Sequence, residues 1–300
     1  MKNIVITGAD GNLGGRLVKR LADSTEYGVI AVGLIREALE NMLEREQIVR
    51  RDKIRLMQTD DFFAADLKAM DAAGAVHLAF ARAIFPNKDI ASSLDFSLAA
   101  FRKIALSGVP NAVYVSSQSV YGDEQAFREV GMSPAPGSVY AMAKYAGEKL
   151  FESVYLNTPE LQHTIIRLDL VAQSQRLIIG LCKAALTDHQ INLKGGKQLF
   201  SYIDADDVPA ALTALLLTDK PWKPIYNVGF HCQRYTLTEI AEIVREVAAE
   251  HGNPDVRIEL TENDTELYAG MDTKAFMEDT GWKPEYPIRE IVSRIYTSLS

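Results

Sequence analysis

The chain of 300 residues contains 47% apolar and 24% charged residues, a composition typical of a globular protein with a sizeable core. Its net charge of -8, without clustered Lys and Arg, argues against a nucleic-acid partner. No run of about 18 apolar residues is present to cross a bilayer. The opening MKNIVITG enters a strand at once and leaves no room for a signal peptide, so we expect a cytoplasmic protein without a membrane partner.

Short apolar runs alternate with longer helical patterns as far as Leu168. Strands are predicted at Asn3 to Thr7, Val29 to Gly33, Ile54 to Gln58, Ala75 to Ala79, Ala112 to Ser116 and Thr164 to Leu168. Helices are predicted at Leu13 to Ser24, Ala38 to Arg50, Asp89 to Leu106 and Tyr140 to Tyr155. Because the strands are almost continuously apolar, they are typical of a parallel sheet that is buried on both faces. The pattern predicts an α/β protein, with a Rossmann-type doubly wound parallel sheet of about seven strands in the order 3-2-1-4-5-6-7.

A glycine-rich turn follows the first strand in the segment TGADGNLGG. Gly8, Gly11 and Gly14 are spaced three residues apart, and Asn12 and Leu13 open the helix that follows. Glycines at this point allow a tight turn and the close approach of a pyrophosphate to the amide groups at the helix start. The turn therefore predicts a dinucleotide-binding site.

A tyrosine and a lysine lie four residues apart in the segment SVYAMAKYAGE. At helical spacing Tyr140 and Lys144 share a face, so both can point at one ligand. Taken alone, the pair is better explained as an ordinary helix start with a solvated lysine. Upstream, VSSQSVYG places Ser116, Ser117 and Ser119 at the carboxyl end of the fifth strand, where ligands bind in such sheets.

These segments together resemble one known family. TGADGNLG, AVHLAFA, VSSQSVYG and VYAMAK, followed by IIRLDLV, FSYIDADDV, YNVG and DTGWKP, are similar to the landmarks of the extended short-chain dehydrogenase/reductases, the NAD-dependent epimerase/dehydratase family. The resemblance covers nearly the whole chain. It implies an NAD(P)-dependent oxidoreductase acting on a hydroxyl or carbonyl group of a sugar-like or other small molecule. A sugar or nucleotide-sugar epimerase and a noncatalytic NAD(P)-binding regulator are the alternatives.

The resemblance also implies a role for individual residues. Tyr140 would be the general acid/base, and Lys144, together with the positive charge of the nicotinamide, would lower the pKa of the phenol from about 10. Lys144 would also bind the nicotinamide ribose, and Ser117 would orient the reacting oxygen. Leu78 and Ala79, at the end of the predicted fourth strand, would contact the cofactor.

The same comparison divides the chain. Residues 1–168 are predicted to form the NAD(P)-binding Rossmann domain. Residues 169–300 are predicted to form mainly the substrate-binding region, smaller and partly interleaved with the first domain.

The choice between NAD and NADP depends on the end of the second strand. NAD-binding relatives place an acid there, whereas this chain has Gly33, and Arg36 follows three residues later. An arginine without a neighbouring carboxylate favours a ribose phosphate, so the prediction leans slightly to NADP. Asp60 or Asp61 matches the acidic position near the adenine, although a helix cap explains either one equally well.

The substrate-binding segments depart from those of nucleotide-sugar epimerases. Phe200 stands where they carry a diphosphate-binding arginine, and Leu170 where they tend to carry an asparagine. Arg176 or Lys183 is an alternative cation, although surface charge explains both better. Sugar dehydratases have an acidic pair where this chain has Gln118 and Ser119, so dehydration is the least favoured reaction.

No metal site is expected from the spacing of the histidines and cysteines. The five histidines show no ligand pattern, and Cys182 and Cys232 are predicted to be buried or free thiols. The expected partner is a small-molecule substrate, and a homodimer is the open alternative to a monomer.

Overall fold

The structure is a computed structural model that describes residues 1–123, 125–174 and 176–300. Its strands are β1 (Asn3–Thr7), β2 (Gly28–Gly33), β3 (Ile54–Gln58), β4 (Ala72–His77), β5 (Asn111–Ser117), β6 (Gln162–Leu168), β7 (Leu170–Val171), β8 (Gln190–Lys194), β9 (Leu199–Phe200), β10 (Tyr202–Ile203), β11 (Ile225–Val228), β12 (Tyr235–Thr236) and β13 (Arg257–Thr261). Its α-helices are α1 (Asn12–Ser24), α2 (Arg36–Arg45), α3 (Thr59–Ala64), α4 (Asn87–Leu106), α5 (Val139–Tyr155), α6 (Arg176–Thr187), α7 (Asp207–Leu217), α8 (Leu237–Glu250), α9 (Lys274–Thr280) and α10 (Ile288–Leu299).

Seven parallel strands form the central sheet. Their spatial order is β3-β2-β1-β4-β5-β6-β11, and every neighbouring pair is parallel. The predicted α/β fold and strand order are therefore confirmed. The seventh strand comes late in the chain because β7 to β10 pair outside this sheet.

Helices cover both faces of the sheet and bury its apolar strands. One core cluster joins residues of α1, α2 and α7 to the sheet, and a second joins residues of α4 and α5 to its other face. A third cluster packs α6, α8 and α10 together in the C-terminal region. This arrangement is the doubly wound architecture that continuously apolar strands predict.

Two elements, β4 and α2, differ most from the prediction. Strand β4 covers Ala72–His77 rather than Ala75 to Ala79, so Leu78 and Ala79 lie in the loop beyond it. Helix α2 covers Arg36–Arg45 rather than Ala38 to Arg50. After it, Gln47 has a φ of 53°, and the Ile48 amide donates to the Leu43 carbonyl at 3.2 Å. This reversal of the chain directs the Ile48 side chain into the core, where it is 3% exposed. Burial of this one apolar side chain therefore ends the helix early.

The sheet draws on both parts of the chain. Residues 1–168 supply β1 to β6, whereas β11 and the covering helix α7 come from beyond residue 168. The domain boundary at this residue stays a prediction. Among the described helices, none is both long and apolar enough to cross a membrane.

Candidate active and cofactor site

A cleft of about 430 Å³ opens at the carboxyl ends of the parallel strands. Ligands bind at this edge of doubly wound sheets because the loops there leave crevices between the covering helices. The cleft is lined by Gly8, Asp10, Gly11, Val32, Gly33, Leu34, Thr59, Leu78, Ala79, Phe80, Ser92, Ser93 and Phe96. Four of these residues, Gly8, Gly11, Leu78 and Ala79, were predicted to bind the cofactor.

The glycines of the first turn have distinct structural tasks. Gly8 has a φ of 73°, and a Cβ there would lie 2.8 Å from the Ala79 backbone. A Cβ at Gly14 would lie 2.0 Å from the Gly8 carbonyl oxygen, so this glycine lets α1 close onto the turn. A Cβ at Gly11 would meet only the Gly8 oxygen, at 3.1 Å, and Gly11 is exposed. Gly11 therefore borders open space, where a ligand can approach the backbone.

The first turn of α1 fits an anionic group. Gly11 is the N-cap residue and has no side chain that could bond to the first amide groups. Asn12 and Leu13 begin the helix, and no acidic residue lies in its first turn. Uncapped amide groups at a helix N-terminus, without a nearby carboxylate in that turn, are suited to a pyrophosphate.

The structure brings Ser117 and Tyr140 together. Ser117 ends β5, and Tyr140 lies in the first turn of α5, which Ser138 caps by accepting a hydrogen bond from the Ala141 amide at 3.1 Å. The Ser117 side chain lies close enough to Tyr140 to lower the pKa of its phenol. The Ser119 hydroxyl in turn donates to the Ser117 hydroxyl at 3.0 Å.

Ser116 has a different partner. Its hydroxyl donates to Glu148 at 2.6 Å and is buried. Of the three serines considered, Ser117 is the one that influences the pKa of Tyr140.

Lys144 lies one turn after Tyr140 on α5 and is buried. Its Nζ donates to the Val115 carbonyl at 2.8 Å and lies 4.1 Å from the centre of the Phe80 ring. The Phe80 ring also packs edge-on against the Tyr140 ring, with 6.2 Å between the centres. Phe80 thus joins the predicted pair to the cleft, because it contacts both residues and lines the cleft wall.

Burial shifts the pKa values of both residues away from their charged forms. Loss of water around the phenol raises the pKa of Tyr140 to about 12, and the hydrogen bond from Ser117 opposes this rise. Burial lowers the pKa of Lys144 to about 7, and the negative charge of Glu148 opposes this fall. Burial is thus the largest influence on the pKa of the phenol in this structure, and the depression of that pKa by Lys144 together with the nicotinamide stays a prediction.

A buried ion pair lies behind Lys144; we call Glu148 and Arg167 the inner pair. Arg167 Nε donates to Glu148 Oε1 at 3.0 Å, and its terminal NH2 group donates to Oε2 at 2.7 Å. Both side chains are almost fully buried. Although burial opposes the change, the hydrogen bonds and charge of Glu148 raise the pKa of Arg167. The inner pair places a negative charge near the Lys144 ammonium.

A second buried network follows the ends of β5 and β6; we call Arg128, Gln118 and Asp169 the outer relay. Arg128 donates to the Gln118 amide oxygen at 2.7 Å, and the Gln118 amide nitrogen donates to Asp169 at 2.7 Å. Asp169 also accepts a bond from the Ser201 hydroxyl. Burial raises the pKa of Asp169 to about 6, and the bond from Ser201 opposes this rise. Within the described residues, Arg128 Nε has no hydrogen-bond partner.

The predicted cofactor-binding residues outside the cleft lining include Arg36, Asp60 and Asp61. Arg36 is exposed at the start of α2, and its Nε donates to Glu40 at 2.9 Å. Asp60 and Asp61 are exposed in the first turn of α3. Thr59, directly before them, lines the cleft instead.

The sequence spacing did not reveal one cluster of possible metal ligands, because Asp272 lies 40 residues after Cys232. Potential ligand atoms of His231, Cys232 and Asp272 lie within 4.8 Å of one another. His231 and Cys232 are exposed, and His231 Nδ1 accepts a bond from the Thr273 amide at 3.2 Å. The absence of a metal site stays a prediction, whereas the cysteines are confirmed as free thiols.

The sequence profile of the NAD dependent epimerase/dehydratase family matches residues 4–229. The matched range includes the residues that line the cleft. The chain belongs to the NAD-dependent epimerase/dehydratase family, and it is an NAD-binding enzyme of the extended short-chain dehydrogenase/reductase type. No curated protein matches the chain significantly.

Solved structures of similar fold come from several bacteria. UDP-glucuronic acid 4-epimerase from Bacillus cereus, in complex with NAD, has a TM-score of 0.80 at 17% identity and covers 99% of both chains. UDP-glucose 4-epimerase from Thermotoga maritima, with UDP-glucose, has a TM-score of 0.78 at 19% identity, covering 99% of this chain and 98% of that one. dTDP-glucose 4,6-dehydratase from Bacillus anthracis, in complex with NAD, has a TM-score of 0.80 at 17% identity, covering 99% and 96%. At these identities the likeness shows the shared fold.

Proposed function

We propose that the chain moves a hydride between NAD(P) and a hydroxyl or carbonyl group of a small, sugar-like substrate. The observation that carries this proposal is the grouping of Ser117, at the end of β5, with Tyr140 and Lys144 on α5, which both contact the cleft residue Phe80. A phenol, a hydroxyl and an ammonium group on neighbouring elements are the groups that the reaction needs for proton transfer and orientation.

Each side chain has one task in the proposed reaction. Bound nicotinamide supplies or accepts the hydride. Ser117 positions the reacting substrate oxygen by a hydrogen bond, and Tyr140 gives it a proton during reduction or removes one during oxidation. Lys144 binds ribose hydroxyls and, as an ammonium ion, favours the phenolate form of Tyr140. The glycine turn and the first amide groups of α1 hold the pyrophosphate.

The raised pKa of Tyr140 defines what this proposal requires. With a pKa of about 12 the phenol keeps its proton at neutral pH, so it is ready to act as an acid in carbonyl reduction. Alcohol oxidation requires the phenolate. That direction therefore depends on positive charge near the phenol, from Lys144 and from the oxidised cofactor.

The proposed substrate carries no nucleotide diphosphate. Phe200 occupies β9 and stacks on Tyr202, with 6.0 Å between ring centres, and Leu170 lies in β7. Neither side chain can bind a phosphate. Arg176 and Lys183 are exposed on α6, as expected for surface charges. The solved neighbours named above are enzymes of nucleotide sugars, so this is a proposed difference from them.

The choice between NAD and NADP is a separate part of the proposal. The lean to NADP rested on Arg36 and on the missing acid at Gly33. In the structure Arg36 is paired with Glu40, and a carboxyl group from another segment lies beside Gly33. Both observations favour NAD as the preferred cofactor.

Net oxidation or reduction is preferred over epimerisation, because a missing diphosphate site removes the usual anchor of a nucleotide sugar. Mass spectrometry of the nucleotide that copurifies with the chain separates the two reactions. A tightly retained dinucleotide indicates an epimerase, whereas a protein that needs added cofactor indicates a dehydrogenase or reductase. A cytoplasmic location and the oligomeric state stay predictions.

Tyr140→Phe tests the catalytic proposal. The variant keeps the ring and deletes the ionisable oxygen, so cofactor binding should persist while turnover falls by a factor on the order of 100 to 10,000. Turnover is followed by NADH absorbance with a panel of free aldoses and uronic acids, and with UDP-glucose for comparison. Tyr145→Phe is the matched control, since it removes a tyrosine hydroxyl from the same helix at a residue that is not part of the proposed catalytic site. Near-parent turnover in Tyr140→Phe would end the catalytic assignment.

A further inference from the structure

The end of β2 lacks an acidic side chain, yet a carboxyl group is present there. A Cβ built on Gly33 would lie 3.1 Å from the Cγ atom of Asp10, which belongs to the glycine-rich turn. Asp10 and Gly33 both line the cleft. The Asp10 carboxyl group therefore occupies space next to the position from which a strand-end acid would extend.

The backbone holds Asp10 in this place. The amide of Ala9, its neighbour, donates to the Val32 carbonyl at 3.0 Å, which ties the glycine turn to the end of β2. On the other side, the Arg45 guanidinium donates to the carbonyls of Asp10 and Gly11 at 3.2 and 3.1 Å. The position of Asp10 thus follows from the same turn that presents the helix amides.

The Asp10 carboxylate is available to a ligand. Across residues 1–123, 125–174 and 176–300, it takes part in no hydrogen bond or ion pair with another side chain. It is half-buried at the cleft wall rather than exposed in bulk water. A carboxylate in this setting accepts hydrogen bonds from a diol and repels a phosphate.

The nearest candidate for binding a phosphate is engaged elsewhere. Arg36 pairs with Glu40, and its NH1 group donates to the Leu56 carbonyl at 3.2 Å. Its charge is thereby offset by a carboxylate one helical turn away. At this end of the cleft, the Asp10 carboxylate is thus a negative charge that no ion pair among the described residues involves.

We propose that Asp10 replaces the missing strand-end acid, accepts hydrogen bonds from the adenosine ribose hydroxyls, and selects NAD over NADP. The inference rests on the cofactor site proposed above and assigns its specificity to a residue of the glycine turn. A 2′-phosphate would lie against the Asp10 carboxylate, whereas Arg36 and Arg45 are each already paired with a glutamate. The second strand can therefore end in glycine without loss of NAD selectivity.

Calorimetric titration of the full chain with NAD and with NADP tests the proposal without an enzyme assay. The parent should bind NAD at least about tenfold more tightly than NADP. Asp10→Asn keeps the shape of the side chain and removes its charge, so NAD affinity should fall about tenfold and the preference should nearly vanish. Asp10→Ser is a second variant with a smaller side chain, and circular dichroism verifies that both are folded.

Arg36→Gln is the discriminating control. It should leave both affinities unchanged, whereas a phosphate-binding Arg36 would make NADP affinity fall. Preference for NADP in the parent, or an unchanged preference in Asp10→Asn, would overturn the role of Asp10 while the cofactor site stands. Failure of both nucleotides to bind the parent would overturn the proposed function together with this inference.

Discussion

The inner pair and the outer relay bury opposite charges in two different ways behind adjacent strands. In the inner pair, Glu148 and Arg167 meet directly through two hydrogen bonds. In the outer relay, the Gln118 amide separates the Arg128 guanidinium from the Asp169 carboxylate. Charge attraction weakens with distance, so the relay compensates its carboxylate less than the pair does.

The pKa values reflect this difference. Glu148 raises the pKa of Arg167 in spite of burial. In the relay, burial dominates: it lowers the pKa of Arg128 and raises that of Asp169 to about 6. Direct pairing keeps charge in a core, whereas a neutral spacer leaves a group that titrates in the mildly acidic range.

The largest effect should follow from breaking the inner pair. Arg167→Met keeps the length of the side chain but leaves Glu148 buried without its partner, so the free energy of unfolding should fall by about 3 to 5 kcal/mol. Urea denaturation measures this loss. Arg289→Met, which removes an exposed arginine from its pairs with Glu246 and Glu250, should change the unfolding midpoint little. Equal effects in the two variants would contradict the contrast between buried and exposed pairs.

The outer relay should give the chain a pH dependence of its own. Asp169 binds its proton more tightly in the folded state, at a pKa of about 6, than in the unfolded state, at about 3.9. Its contribution to stability is therefore full below about pH 4 and is lost as the pH rises through 6, by about 2 to 3 kcal/mol.

Asp169→Asn should flatten this slope, which unfolding free energies measured between pH 4 and 7 would reveal. Asp264→Asn, at an exposed acid, is the control and should keep the parent slope. A parent slope of opposite sign would show that Asp169 is stabilised as the carboxylate.

Removing the Gln118 amide, which is the spacer of the outer relay, should lower the free energy of unfolding somewhat less. Gln118→Leu deletes one bond to Asp169 and one to Arg128, leaving both groups buried, so stability should fall by about 1 to 3 kcal/mol. Chemical denaturation at pH 7 gives the value. Gln190→Leu, which removes a bond to Asn192 at the surface, should change stability by less than about 0.5 kcal/mol. A Gln118 variant as stable as this control would mean that the relay carries little energy.

The smallest expected effect is a change in NAD affinity through the protonation of Lys144. It should distinguish the function of the inner pair from that of the outer relay. Glu148 opposes the burial-driven fall in the pKa of Lys144 to about 7. Glu148→Gln should lower that pKa by about one further unit, so the ammonium fraction at pH 7 would fall about fivefold. NAD affinity should weaken to a similar extent at pH 7 and recover near pH 5.5. In Asp169→Asn, NAD affinity should show no such recovery at low pH. Calorimetric titration with NAD between pH 5.5 and 7 compares the variants.

The strand order and glycine turn could be predicted because they depend on local patterns. Continuous apolar runs, helical periodicity and short loops define a doubly wound sheet, and parallel strands place Ser117 and the glycine turn at one edge. The end of α2 could not be predicted, since it depends on Ile48 finding a place in the core.

The chemistry of the site was harder to predict where distant residues meet. In the sequence Asp10 is an ordinary loop residue. In the structure, the hydrogen bond from the Ala9 amide to the Val32 carbonyl places it beside Gly33. Lys144 was expected to lower the pKa of Tyr140. The sequence does not reveal that burial dominates at the phenol.

The attachment of Arg128 has a consequence for how the active site is assembled during translation. Its amide donates to the Gly270 carbonyl at 3.1 Å, and its carbonyl accepts a bond from the Asp272 amide at 2.9 Å. The loop between Ser117 and Tyr140 therefore needs a segment synthesised more than a hundred residues later, and such distant contacts form slowly. A nascent chain that has already completed β1 to β6 would still lack the anchor of this loop, so the catalytic groups would be brought into register among the last steps of folding.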